Sequence, residues 1–171
     1  MTEKEKYDGI YSSTAEYNGY GHANHGKDYL PILITNKVSS LIDVGCGHNE
    51  FCIKLRKLGV NAIGVDFACK SADLIADAKS LPFENKRFDF LTAFDMLEHL
   101  QPDDVSIVLN EFRRVSHNFV FSICYRESFN KWRGYTLHPT VKPESWWIEQ
   151  IINHNGYDVS KHNQYIVGKW N

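Results

Sequence analysis

The chain has no apolar run near the ~20 residues needed to cross a bilayer. Its opening residues, MTEKEKYDGIYSS, are charged and lack the apolar core of a secretory signal. A cytoplasmic setting and no membrane contact are therefore expected. Cysteine is scarce, at four residues in 171. None of Cys46, Cys52, Cys69 and Cys124 falls in a C-x-x-C pair, and none is joined by histidines at zinc-ligand spacing. No metal site is expected on that ground. Charge of one sign is also missing: 19 basic against 21 acidic residues leave a formal net charge of −2. That balance disfavours a dedicated nucleic-acid binder. Internal repeats and low-complexity segments are absent too.

What is present suits one domain of 171 residues, long enough to bury roughly 70% of its unfolded surface without covalent staples. Residues 1–36 read as a polar, aromatic lead-in, irregular or weakly helical, with a short helix over about 28–36. The pattern changes at residue 40. Short apolar runs at 41–44, 62–65, 73–76, 88–94 and 118–125 read as strands. Helices are expected over 49–58, with Phe51, Leu55 and Leu58 inward and Gly59 as the stop, and from Pro102, with Val105, Val108, Leu109, Phe112 and Val115 as the buried stripe. A last helix is expected from Pro143, with Trp147, Ile148, Ile151 and Ile152 inward and Gly156 as the stop. The tail from 157 to 170 reads as a hairpin.

Alternating strands and helices predict an α/β fold: a Rossmann-like, mostly parallel sheet ending in an antiparallel hairpin. Its core spans 40–125, and 126–171 supplies a charged, aromatic loop, a helix and the hairpin. Ligands in such folds sit outside the carboxyl ends of the strands. Gly45, Asp66, Asp77, Asp95 and Tyr125 all fall there. The first strand runs through DVGCGHN, residues 43–49, straight into a helix. Glycines in such a turn let backbone approach a ligand and leave helix N–H groups free. Asp66 ends the next strand, where an acid typically takes ribose hydroxyls. These features alone fit NAD as well as S-adenosylmethionine.

Asp77 in ADAKSLPF and the AFDMLEHL that ends the fourth strand separate the two. Here the sequence resembles class I S-adenosylmethionine-dependent methyltransferases, and in particular their small-molecule, type 11-like branch. The resemblance runs from about Leu41 to Val115, and the ending LHPT…WW…GYDV is similar to the same branch. It implies S-adenosyl-L-methionine as cofactor. Gly45 and Gly47 would then lie against its methionine and ribose parts, with Asp43 holding the amino group or ordering the loop. Asp66 would bind the ribose, Phe67 would flank the adenine, and Asp77 with the Ala78 backbone would meet its amino group. Phe94 and Asp95 would border the methionine end. Asn49 stands where the family's loop has a third glycine, a substitution that asparagine's tolerance of positive φ permits.

A second departure is the segment from Asp66 to Asp73, too short for the usual helical crossover. That face of the sheet is expected to be thin or covered by the lead-in. For a proton acceptor, His138 is the first candidate and His99 the second, against a structural role for His99 and for Glu98. His22 and His25 could cap the site. Arg126, Lys131, Arg133 and Lys142, interleaved with Phe129, Trp132 and Tyr135, read either as a solvated loop or as a subsite for a phosphate-bearing or aromatic substrate. Trp146 and Trp147 read mainly as packing residues.

The motif D/N-P-P-Y/F of amino-directed DNA methyltransferases is missing, as is the Pro-Cys of cytosine enzymes. The expected acceptor is a small metabolite, a sugar or a nucleotide-like molecule. The alternatives are a cofactor-binding partner or sensor without catalysis, and another use of the same cofactor, such as its cleavage or aminopropyl transfer. Nothing in the pattern sets an oligomeric state.

Overall fold

The computed structural model describes residues 1–13, Leu33 and residues 37–171. The helix expected over 28–36, apart from Leu33, and both His22 and His25 lie outside the described residues. Helix α1 spans Glu3–Ser12, so the start of the lead-in is regular. Thr2 closes it with a capping box: its hydroxyl accepts the Glu5 N–H while the Glu5 carboxylate accepts the Thr2 N–H.

Strand β1 (Ser40–Val44), helix α2 (Glu50–Lys57), β2 (Asn61–Asp66), β3 (Leu74–Ile75) and β4 (Phe88–Phe94) follow. Then come α3 (Val105–Val115), β5 (Ser116–Ser122), β6 (Lys131–Trp132), β7 (Tyr135–Thr136), α4 (Glu144–Asn153), β8 (Gly156–His162) and β9 (Tyr165–Trp170). Among the described residues, seven strands form one sheet in the order β3-β2-β1-β4-β5-β9-β8. The first five are parallel, and β9 and β8 are antiparallel. β1 lies in the middle of the five parallel strands, with Leu41 opposite both Ala62 and Phe90. Helices cover both faces, which is why Leu41, Ile42 and Val44 are all buried although they alternate in direction.

On one face Phe51 and Leu55 of α2 pack with Leu41, Ala62, Phe94 and Val120. On the other, the full predicted stripe of α3 is buried with Phe119, Phe121 and Trp147. Some expectations shift. Pro102 opens a 3-10 turn, Pro102–Asp104, and α3 begins after it. Leu58 and Ile152, expected to face inward, are 54% and 53% exposed, because each helix ends within a residue of them. Gly156 does not stop α4. Asn155 takes the left-handed turn (φ 67°), and Gly156 opens β8 pressed against Ile151, whose Cγ2 an added Cβ would meet at 2.5 Å.

The crossover from β2 to β3 is short, as expected, and has no helix. It remains parallel because β3 pairs only with the end of β2, Val65 to Leu74 and Asp66 to Ile75. The chain must therefore turn back only about two residues, roughly 7 Å. Asp73 fills the gap: its carboxylate accepts the Gly64 N–H at 2.8 Å and pairs with Arg56 of α2 at 2.7 Å. Between β3 and β4 there is also no helix. Residues 77–87 are tied to α3, where Arg114 donates to the Leu81 and Phe83 carbonyls and Glu111 accepts the Leu81 N–H.

The loop 126–142 contains the small β6–β7 hairpin, which its two-residue strands hid from the sequence pattern. Ile10 of α1 packs against Trp132 and Leu137 of this region. Helix α1 thus packs on the loop 126–142.

Candidate active site

The carboxyl ends of β1, β2 and β4 open into a cavity of about 660 Å³. Asp43, Gly45, Gly47, Asp66, Phe67, Asp77, Ala78, Phe94, Asp95, His99 and His138 all line it. A volume of this order suits a cofactor-sized ligand.

The loop after β1 has the geometry its glycines imply. Gly45 and Gly47 have φ of 78° and 54°, and a Cβ on Gly45 would lie 2.5 Å from Met96 Cγ. The loop is strapped to the end of β2. The Gly45 and Cys46 N–H groups donate to the Val65 carbonyl, and the Gly47 N–H donates to Asp66 Oδ2 at 3.0 Å. Asp66 Oδ1 takes the Ala68 and Cys69 N–H groups. Tyr11 of α1 reaches Asp66 Oδ2 at 3.4 Å.

Asn49 does take the left-handed conformation (φ 64°), but it is absent from the cavity wall. It is 2% exposed and lies behind the loop, with its Oδ1 only 2.1 Å from where a Cβ of Gly64 would stand. Asn49 therefore packs against Gly64 of β2, away from the cavity wall on which a cofactor contact was expected. Its place was illegible because the space it fills is made by Gly64, on the neighbouring strand.

Asp43 is buried and accepts the Thr92 hydroxyl at 2.7 Å. Burial pushes its carboxyl up to about 7; the Thr92 bond opposes this and the Asp66 charge adds to it. Asp77 is half-buried and accepts the Lys79 N–H at 2.9 Å, so it orders its own turn as well as facing the cavity. Asp95 sits at φ 48° just past β4, held by the Ser122 hydroxyl, which donates to its Oδ1 at 2.9 Å. A non-glycine residue in that region carries local strain. Phe94 meets Phe51 and Tyr165 edge-on.

At the far end, the 3-10 turn Leu97–His99 and the loop before α4 bring His99 and His138 together, edge to face at 4.7 Å. Thr140 makes this possible: it is fully buried, and its hydroxyl donates to the Leu100 carbonyl at 2.7 Å. The Tyr7 hydroxyl lies 2.9 Å from His99 Nδ1. Burial above all, with the neighbouring His138 and Lys6, holds His99 down to about 3, so it stays neutral at physiological pH. His138 Nδ1 lies 2.9 Å from the Arg126 carbonyl. A carbonyl only accepts, so Nδ1 carries the proton and Nε2 keeps its lone pair. Beside them Glu98 is fully buried, its carboxyl pushed up to about 8 by burial with the Asp95 charge adding.

Sequence reading missed Tyr7, Tyr11, Gln101 and Cys124, which also line the cavity. The tyrosines come from a helix whose docking depends on Gln101 donating to Glu3 and on Ile10 against Trp132. None of Arg126, Lys131, Arg133 or Lys142 lines the cavity. Arg133 and Lys142 lie over Trp132 and Trp146, and Phe129 is 91% exposed. All four cations are exposed. Trp147 is core, as expected, and Trp146 packs against it.

The strand order, the glycine loop after β1 and the acid after β2 define an enzyme of the Rossmann-like, nucleotide-cofactor class. The sequence matches the family model described as a methyltransferase domain over residues 21–162. The chain belongs to that family of S-adenosylmethionine-dependent methyltransferases. No curated protein matches the sequence. Among solved structures, magnesium protoporphyrin IX methyltransferase from Synechocystis superimposes with a TM-score of 0.68 at 12% identity, over 100% of this chain and 98% of that one. The 1,6-didemethyltoxoflavin-N1-methyltransferase of Burkholderia thailandensis gives 0.67 at 13%, over 98% and 88%. A phosphoethanolamine N-methyltransferase of Haemonchus contortus gives 0.69 at 13%, over 94% of this chain and 46% of that one. At such identities the likeness is one of fold. Among the described residues, no helix is long and apolar enough to cross a membrane.

Proposed function

We propose that this chain methylates a small acceptor, a metabolite, sugar or nucleotide-like molecule, held where Tyr7, His99 and His138 meet. The observation that carries this is the single cavity that joins the glycine loop and Asp66 at one end to the two histidines at the other. Similar structures were solved with S-adenosylhomocysteine together with a small acceptor, phosphomonomethylethanolamine in one and 1,6-didemethyltoxoflavin in another. That supports a small acceptor here.

The residues fit the cofactor. Gly45 and Gly47 leave the loop backbone bare where a side chain would block it, and carboxylates at Asp43, Asp66, Asp77 and Asp95 suit a cationic ligand. When bound, S-adenosylmethionine supplies an electrophilic methyl group on a positively charged sulfur. The protein's own work is to bind, orient and take a proton. Asp66 holds ribose hydroxyls, Phe67 flanks adenine, Asp77 and the Ala78 backbone meet its amino group, and Asp43 with Phe94 and Asp95 receives the methionine end. Asp43 binds an ammonium group best when ionised, so an amine beside it draws its carboxyl below the value of about 7 that it has alone. His138 Nε2 is the proton acceptor, because its tautomer is fixed from behind by the Arg126 carbonyl. His99, neutral and held by Tyr7, positions the acceptor and His138. Among the described residues the four cysteines are free thiols, which supports a reducing, cytoplasmic setting.

Incubation with labelled S-adenosylmethionine and pooled small metabolites tests the proposal. A labelled small product that disappears with His138→Ala supports it. Label appearing only in protein or nucleic acid would count against it.

A further inference from the structure

We propose that Glu98, His99 and His138 form a binding site for one divalent transition-metal ion of the zinc class, at the acceptor end of the cavity. One donor atom from each of the three lies within 4.8 Å of the other two. Ligands of a single tetrahedral zinc ion, at about 2.0–2.1 Å from the metal, stand roughly 3.4 Å apart, so small side-chain rotations bring the three onto one ion. One carboxylate with two imidazoles is a zinc-type donor set, whereas magnesium and calcium prefer oxygen alone.

The stronger observation is what Glu98 lacks. Its side chain is fully buried, and Oε1 accepts the Cys124 N–H at 3.0 Å, but Oε2 has no hydrogen-bond partner. A buried carboxylate oxygen calls for a donor or a cation. The neighbours within ligand reach are imidazoles, which a metal would share with it.

Both histidines are also held from behind, as metal ligands are. His138 Nδ1 is fixed by the Arg126 carbonyl, which leaves Nε2 to ligate. Tyr7 holds His99 at Nδ1. His99 also hydrogen-bonds the Leu137 backbone, a contact it would exchange for the ion. All three ligands line the cavity, so a fourth position stays open to the acceptor. Three ligands from residues 98, 99 and 138 have no sequence spacing that announces a metal, which is why none was expected there.

Its role at the acceptor rests on the methyltransferase reading above; binding of the ion does not. An ion here would carry the task given to His138, since an acceptor oxygen bound to it loses its proton more readily.

The test uses the full chain after chelator treatment and dialysis. Zinc is titrated by calorimetry, and cobalt is added to read its visible absorption, in wild type, Glu98→Gln and His138→Ala. The expected result is one equivalent of zinc, four-coordinate cobalt bands, and binding weakened at least about 10-fold in each variant. Absence of binding, or wild-type affinity in both variants, overturns the site and marks any bound ion as adventitious. Should Glu98→Gln fail to fold, His138→Ala, in a half-buried loop, decides. S-adenosylhomocysteine is titrated into the same samples. Zinc failing while it binds removes the metal site alone, and its own failure removes the methyltransferase reading.

Discussion

Gly45 has no room for a side chain and no conformation for one. At φ 78°, an alanine pays about 1–2 kcal/mol for the left-handed backbone and also presses on Met96. Gly45→Ala should therefore lower the melting temperature by several degrees and weaken S-adenosylhomocysteine binding, both read in one thermal-shift titration. Titration of buried groups gives a second expectation at this scale. Asp43 and Glu98, at about 7 and 8 in the folded chain, lie far above their unfolded values near 4, so the folded state holds their protons longer. The metal-free, cofactor-free protein then loses stability as pH rises, by about 1–2 kcal/mol between pH 6.5 and 8. His99, at about 3, acts oppositely: it binds protons more readily unfolded, so its contribution grows as pH rises from about 3, levels off about one unit above 6.5, and offsets a small part of that decline. Urea midpoints at pH 6.5 and 8 check this, and Asp43→Asn should flatten the decline. Part of the cavity wall was legible residue by residue, because Gly45, Gly47, Asp66 and Asp77 follow strands at fixed positions. Asn49 was not, because its burial depends on Gly64 across the sheet.

Two of the helices that usually cover such a sheet are missing among the described residues, and single side chains stand in for them. Arg114 on α3 holds residues 81–85 through two carbonyls and the Asn85 side chain. Its removal leaves those carbonyls without their donor, and Arg114→Ala should destabilise the fold by about 2 kcal/mol in denaturant unfolding. Lysine should rescue little, since it offers one charged point where the guanidinium offers a fork. Strands β1, β2, β4 and β5 were readable from their apolar runs, and α3 from its stripe. The β6–β7 hairpin was not, because two-residue strands leave no alternation to detect. The α1 helix was only half legible: its capping box is local, but its docking on Trp132 and Leu137 is not.

Over the whole molecule, a near-neutral chain concentrates carboxylates in one cavity. Residues 7, 66, 99 and 138, scattered through the sequence, meet around it. Contacts across such distances are fixed by the fold: Asp66, His99 and His138 were readable as candidates, but the approach of Tyr7 to His99 and of His99 to His138 needed the structure. The two ends make separate demands. In the proposed reaction, chemistry at Tyr7, His99 and His138 would depend on what the loop and Asp66 deliver, and not the reverse. Cofactor binding at the glycine loop and Asp66 is the step on which the proposed reaction depends. Calorimetry should show one equivalent of S-adenosylhomocysteine bound to wild type, weakened about 10- to 100-fold in Asp66→Ala as a charge-assisted contact is lost. No binding of S-adenosylhomocysteine, or equal affinity in folded Asp66→Ala, would contradict it.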